Sequence, residues 1–99
     1  MVIRGLTSYG EVDTFAESNL KNARFFNMNT DIYMFPCRSK TVNSQVDEMM
    51  KKIPQNLYTR VWIKVIANPT DSCSWNGFHI INNCQYIQNI MKRIKSNGK

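Results

Sequence analysis

The chain has 99 residues, 42% hydrophobic and 20% charged, with 4 Gly and 3 Pro. That is the composition of one small globular domain, and it excludes a disordered polymer, a collagen-like repeat and a Pro/Gly low-complexity chain. The formal charge is +6, spread unevenly: residues 1–50 sum to −1 and residues 51–99 to +7.

The first element is Val2–Gly5, a short apolar segment that reads as a buried strand. A helix follows, with Phe15, Ala16, Leu20 and Ala23 on one face, and Thr14 with Glu17 three residues on fits a capping box. Ile32–Phe35, after Asp31, is the second strand. Val46, Met49, Met50 and Ile53 then fall at i, i+3, i+4 and i+7, the stripe of an amphipathic helix that Asn43 caps and Pro54 ends. Val61–Ile66 is the third strand. Ile87, Ile90, Met91 and Ile94 repeat the helical spacing, with Asn82 or Asn83 at the start and Gly98 at the end. The methionines in these stripes read as core filler.

The order is β-α-β-α-β-α, with strands starting at 2, 32 and 61. Alternation of this kind implies an α/β fold with a parallel sheet and right-handed crossovers. Two architectures fit: a small doubly wound sheet, or three consecutive βα units of a (β/α)₈ barrel. No Gly-rich phosphate loop follows a strand, since Gly5 and Gly10 do not make GxGxxG, so dinucleotide binding is disfavoured.

No run of about 18 apolar residues is present, which argues against a membrane span. Met1–Gly5 carries no apolar signal core, so the expectation is an intracellular chain or one that has lost its natural N-terminus. The basic half invites anionic partners, yet Lys92, Arg93, Lys95 and Lys99 also suit a helix C-terminus. No zinc finger, KH loop or RNP pattern accompanies that charge, so no specific nucleic acid is expected. His79 is the only histidine and no CxxC pair occurs, so neither a metal nor another cofactor is expected.

The chain has three cysteines, Cys37, Cys73 and Cys84, so at least one is left unpaired within it. Cys73 and Cys84 bracket a polar loop, and the expectation is a disulfide between them. Two free thiols, or a pairing of Cys37 with either of the others, are the alternatives.

Three stretches then stand out: Ile3-Arg4-Gly5-Leu6-Thr7-Ser8-Tyr9-Gly10, Thr30-Asp31-Ile32-Tyr33-Met34-Phe35-Pro36-Cys37 and Asn56-Leu57-Tyr58-Thr59-Arg60-Val61-Trp62-Ile63. With Cys73-Ser74-Trp75 and Asn83-Cys84-Gln85-Tyr86-Ile87-Gln88, they resemble the eukaryotic lysozymes of glycoside hydrolase family 25 in one register over almost the whole chain. The resemblance implies a modified β/α barrel that cleaves peptidoglycan glycan strands in innate defence, secreted or lysosomal. It implies that this chain is a truncated domain, covering roughly strand two through the helix after strand four. It also implies a partner for Cys37 upstream of Met1.

The third strand of that family reads Trp-x-Asp-x-Glu. Residues two apart on a strand share a face, so both carboxylates project together, one as general acid and the other beside the reacting sugar. Here the stretch is Trp62-Ile63-Lys64-Val65-Ile66, with Lys64 at the Asp position and Ile66 at the Glu position. Neither side chain protonates a glycosidic oxygen or supports an oxocarbenium-like centre, and general acid–base help of this kind is worth roughly 10²–10⁴-fold. The expected catalytic set is therefore empty. A lysine nucleophile at Lys64 is the remote enzymatic alternative.

Tyr33 is a sugar-contact candidate on the resemblance, and Trp62 and Arg4 join it as candidate substrate-binding residues. Each has a plainer reading: packing for Tyr33 and Trp62, and an ion pair with Asp31 for Arg4. The sequence thus points to an inactive lysozyme-family domain. Its competitors are a binder of cell-wall glycan or anionic polymer through the basic half, and a gene remnant without selected activity. A three-stranded parallel fragment also has two uncovered edges, so self-association or a covering partner is expected.

Overall fold

The computed structural model describes residues 1–99, the side chain of Asp71 apart. Strand β1 (Val2–Leu6), helix α1 (Ala16–Phe25), strand β2 (Asp31–Met34), helix α2 (Val42–Lys52), strand β3 (Val61–Ile63) and helix α3 (Ile80–Ser96) follow one another, with short 3-10 turns at Gln55–Leu57 and Asp71–Cys73. The strands form one parallel sheet in the order β1-β2-β3. That order never reverses, so the topological switch point of a doubly wound sheet is missing.

Alternation along the strands sorts side chains into two faces. Ile32 and Met34 of β2 are fully buried in one core with Leu20 of α1, Val46 and Met49 of α2, and Ile90 of α3. All three helices thus contribute to a single apolar layer on one side of the sheet. Gly5 lets β1 approach that layer closely: a Cβ there would meet Ile32 Cδ1 and Met49 Sδ at 3.2 Å and Ile53 Cδ1 at 3.3 Å. The β1–β2 register also slips between Arg4 and Leu6, so this glycine sits in an irregularity of the strand.

Helix α2 buries its whole expected stripe, Val46, Met49, Met50 and Ile53. Helix α3 does so only in part: Tyr86, Ile90 and Ile94 are buried, whereas Met91 is half exposed. The caps differ from the expected ones. Helix α1 has no side-chain cap, at Thr14 or elsewhere; Asp13 accepts from the Phe15 amide at 2.9 Å in the turn before it. Thr41, two residues before Asn43, caps α2 and accepts from the Ser44 amide at 3.3 Å. His79 caps α3 through Nδ1, which accepts from the Ile81 amide at 3.1 Å, so that helix starts before Asn82 and Asn83. Polar side chains of equal capping ability lie within a few residues of each other, and the path of the incoming loop chooses among them.

Strand β3 stops at Ile63, three residues short of Ile66. The ladder fails because β2 itself ends at Met34 and runs into Phe35-Pro36. The last cross-strand bond is from the Lys64 amide to the Met34 carbonyl, at 3.0 Å. Beyond it Val65 and Ile66 are half exposed, and the chain is tied down again at Asn68, whose Nδ2 donates to the carbonyls of Ser8 (2.7 Å) and Pro36 (3.2 Å).

The disulfide joins Cys37 to Cys73, and Cys84 is a free, exposed thiol on α3. The expected Cys73–Cys84 pair does not form. Cys37 follows β2 and Cys73 follows β3, and the parallel pairing of those strands brings their C-terminal ends together. Cys84 instead belongs to the exposed side of α3. No described helix is long and apolar enough to cross a membrane.

Candidate functional site: the open face of the sheet

The face of the sheet turned away from the helices carries the three residues singled out as sugar contacts. Arg4 pairs in register with Tyr33, and Tyr33 with Trp62, so the three stand in one row across three strands. Parallel neighbours in register point the same way and lie about 4.8 Å apart, the spacing that lets aromatic side chains act as one surface. Trp62 is 51% exposed, a large fraction for an indole. Val2, Tyr33, Trp62, Ile63 and Lys64 line a shallow recess of about 420 Å³.

Asp31 organises this row. It lies two residues before Tyr33 on the same strand and so on the same face. Its Oδ2 accepts from Trp62 Nε1 at 3.0 Å, and its Oδ1 accepts from the Arg60 amide at 3.0 Å. The carboxylate therefore fixes the tilt of the Trp62 ring and the entry of β3. The expected Arg4–Asp31 ion pair is absent; Arg4 Nε donates to Asp13 Oδ2 at 2.7 Å instead. Asp13 also accepts from the Phe15 amide in the turn before α1, and the pair ties that corner to β1. Arg4 is consequently held at the rim of the row, its guanidinium pKa raised by the hydrogen bond to Asp13.

Lys64 follows the last residue of β3, at the end of the sheet opposite Asp31. Its Nζ lies 5.4 Å from the Tyr33 ring centroid and 5.2 Å from that of Phe35, within cation–π range of both. The side chain is exposed, unlike a nucleophilic lysine seated in an apolar pocket. Ile66 lies outside the strand, so the period-two argument that placed it beside Lys64 has no ladder to act on.

Glycoside cleavage by two carboxyl groups needs them on either side of one bond, roughly 5–10 Å apart. The carboxylate of Asp31 is taken up by the Trp62 indole and the Arg60 amide. Among the described residues no group of three or more His, Cys, Asp or Glu side chains is arranged to hold a metal. His79 caps α3, so its lone pair is already used.

Two members of the site were not singled out from the sequence. Phe35 was counted only as part of a strand, but it supplies the second ring under Lys64. Asp31 entered only as an ion-pair partner for Arg4, whereas it positions the indole. Its period-two spacing from Tyr33 was the available signal.

A family model described as lysozyme-like protein 1 matches residues 1–99. No curated protein matches the chain, and no solved structure does. A match that spans the whole chain settles its membership: it belongs to the lysozyme-like protein 1 family.

Proposed function

We propose that this lysozyme-like domain is catalytically silent and retains a glycan-contact surface on the open face of its sheet. The observation that carries the reading is the Tyr33–Trp62 pair, side by side and solvent-facing, with a lysine where the family 25 resemblance expects an acid. Sugar rings present apolar C–H faces that stack on such aromatics, and their hydroxyls accept from cations at the rim, here Arg4 and Lys64. Peptidoglycan glycan strands are the substrate class we infer from the resemblance.

We further propose that the three parallel units correspond to an arc of a family 25 barrel. The unreversed strand order and the confinement of the helices to one face support it. Both sheet edges, β1 and β3, lack a strand neighbour among the described residues, which favours a covering partner or self-association.

The test has two parts. Soluble peptidoglycan fragments are titrated against the chain while indole fluorescence is followed. Saturable change is expected, and it is lost in Trp62→Ala; an unchanged signal in the parent chain overturns the glycan reading. Lysis of bacterial cell walls by the purified chain is expected to stay at the blank, and Lys64→Asp combined with Ile66→Glu is expected to leave it there. Turnover that survives repurification and disappears in Lys64→Met overturns the silent reading in favour of lysine chemistry.

A further inference from the structure

On the helix side of the molecule, the start of α2, the loop before it and one side of α3 enclose an open groove of about 950 Å³. Four cations line it: Arg38, Lys40, Lys92 and Arg93. Two have acidic partners. Lys40 Nζ lies 3.1 Å from Glu11 Oε1, and Arg93 makes a two-point pair with Asp47 at 2.8 and 2.6 Å. Arg38 and Lys92 have no acidic partner within ion-pair distance among the described side chains.

Arg38 is held as a binding arginine needs to be. Its amide donates to the Cys73 carbonyl at 3.2 Å, beside the Cys37–Cys73 disulfide. Its Nε donates to Asn83 Oδ1 at 2.8 Å. The guanidinium carbon lies 4.0 Å from the Phe78 centroid and 4.5 Å from that of Tyr86. Tyr86 is in turn locked by Gln45, whose Nε2 donates to its hydroxyl at 2.5 Å, and by the Lys40 carbonyl, which accepts from that hydroxyl at 2.7 Å. The rings remove water from both the guanidinium and its surroundings, while the two terminal nitrogens make no bond to the described side chains. A planar fork with its entropy already spent, partly desolvated and lacking a counter-charge among the described side chains, is built to take an oxyanion.

The rest of the groove reinforces the same sign. It contains Val42 and Asn43, the first residues of α2, whose amides have no intrahelical acceptor and sit at the positive end of the helix dipole. A tetrahedral oxyanion accepts from such amides and from the arginine together. Hydroxyl and carboxamide groups of Thr41, Asn89 and Ser96 continue along the wall, suited to polyol hydroxyls between successive charges.

We propose that this groove binds a phosphodiester-linked polyol or glycan polymer, with Arg38 and the start of α2 holding one phosphate and Lys92 the next. It lies on helices, away from the aromatic row on the sheet, and does not rest on the glycan reading of that row. The volume of the groove, about 950 Å³, and its four cations favour a polymer over a single small anion.

Poly(glycerol phosphate) is the probe, titrated calorimetrically against the full chain at low and moderate salt. An uncharged polyol polymer of equal length and a single-stranded oligonucleotide of equal charge serve as comparators. Saturable, salt-weakened binding of the phosphate polymer is expected, and none of the uncharged one. Arg38→Gln is expected to weaken it at least roughly tenfold, since it removes a charge-assisted fork. Lys92→Gln is expected to weaken it roughly threefold and to lower the salt slope by about one. Lys95→Gln, the same charge change three residues on and outside the groove, is expected to stay within about twofold. Because Arg38→Gln also removes packing, Lys92→Glu supplies a surface variant that tests the site without touching the fold. Absence of saturable binding at low salt overturns the proposal. So does an equal loss in Lys95→Gln and Lys92→Gln, which reports diffuse charge. Tighter binding of the oligonucleotide overturns it in favour of a nucleic acid.

Discussion

The two sides of this molecule carry opposite chemistry on one framework. The open sheet face is aromatic and shallow, made from strand residues that a period of two places in a row. The helix-side groove is cationic and larger, made from a loop, a helix start and a helix flank that are far apart in the chain. The first surface is rigid because three strands are hydrogen-bonded to one another. The second is rigid because a disulfide, Gln45 and Tyr86 pin its loop. A ladder imposes its geometry on whatever side chains it carries, whereas a loop holds its geometry only through specific tertiary bonds. The two surfaces should therefore respond differently to the same damage.

The largest expected effect is on the pinned side. Paired Cys37→Ser and Cys73→Ser opens a loop spanning a sequence separation of 36, worth about 4 kcal/mol in the chain-entropy account. Urea denaturation should show the loss. Hydrogen exchange should show the loop at 37–41 loosening before β2 does; equal loosening of both would break the comparison.

A smaller effect is expected between the two sides. Gly5→Ala places a methyl against Ile32, Met49 and Ile53 and should cost about 1–3 kcal/mol by overpacking. The shift should appear in the denaturation midpoint, with the groove's affinity for phosphate polymer unchanged. Loss of that affinity would mean that the sheet and the groove are not separable.

Tyr58→Phe runs in the other direction. The Tyr58 hydroxyl is buried without a hydrogen-bond partner, and burial alone pushes its pKa from the ordinary 10.0 to about 12. Removing an unpaired buried hydroxyl should be neutral or stabilising by up to about 1 kcal/mol. The folded pKa lies above the unfolded one, so stability from this group is complete below pH 10 and declines as pH rises towards about 12. Chemical denaturation across that window should show a shallower alkaline decline in Tyr58→Phe than in the parent chain.

The smallest effect belongs to Asp47 at the groove's flank. Hydrogen bonds from Arg93 and then Asn97 hold its carboxyl down at about 2. A depressed carboxylate contributes stability above its unfolded pKa, and that contribution disappears as pH falls from about 4 towards 2. The pair is exposed, so the change should be slight. Acid denaturation of Asp47→Asn should lack this step.

Much of this architecture was legible from local pattern. The Val46, Met49, Met50, Ile53 stripe has the period of a helix and was buried as a unit, because any packing that covers one of these residues covers the rest. Tyr33 and Trp62 stand together because parallel pairing in this register leaves them no other arrangement. The third strand was overread. Val65 and Ile66 have strand-forming side chains, but a strand lasts only as long as its neighbour offers bonds, and β2 ends at Met34.

The sequence by itself determined the order of strands and helices and the buried stripe of α2. Those are properties of residue type and short-range spacing. Only the tertiary structure decided that Cys37 pairs with Cys73, that Asp31 serves Trp62 and Asp13 serves Arg4, and that Arg38 meets Lys92 across a groove. Arg38 belongs to the half of the chain with net charge −1 and Lys92 to the half with +7, so no count along the sequence brings them together. The physical reason is range: periodicity acts within a turn or a pleat, while partner choice depends on which chain ends the parallel sheet delivers to the same place.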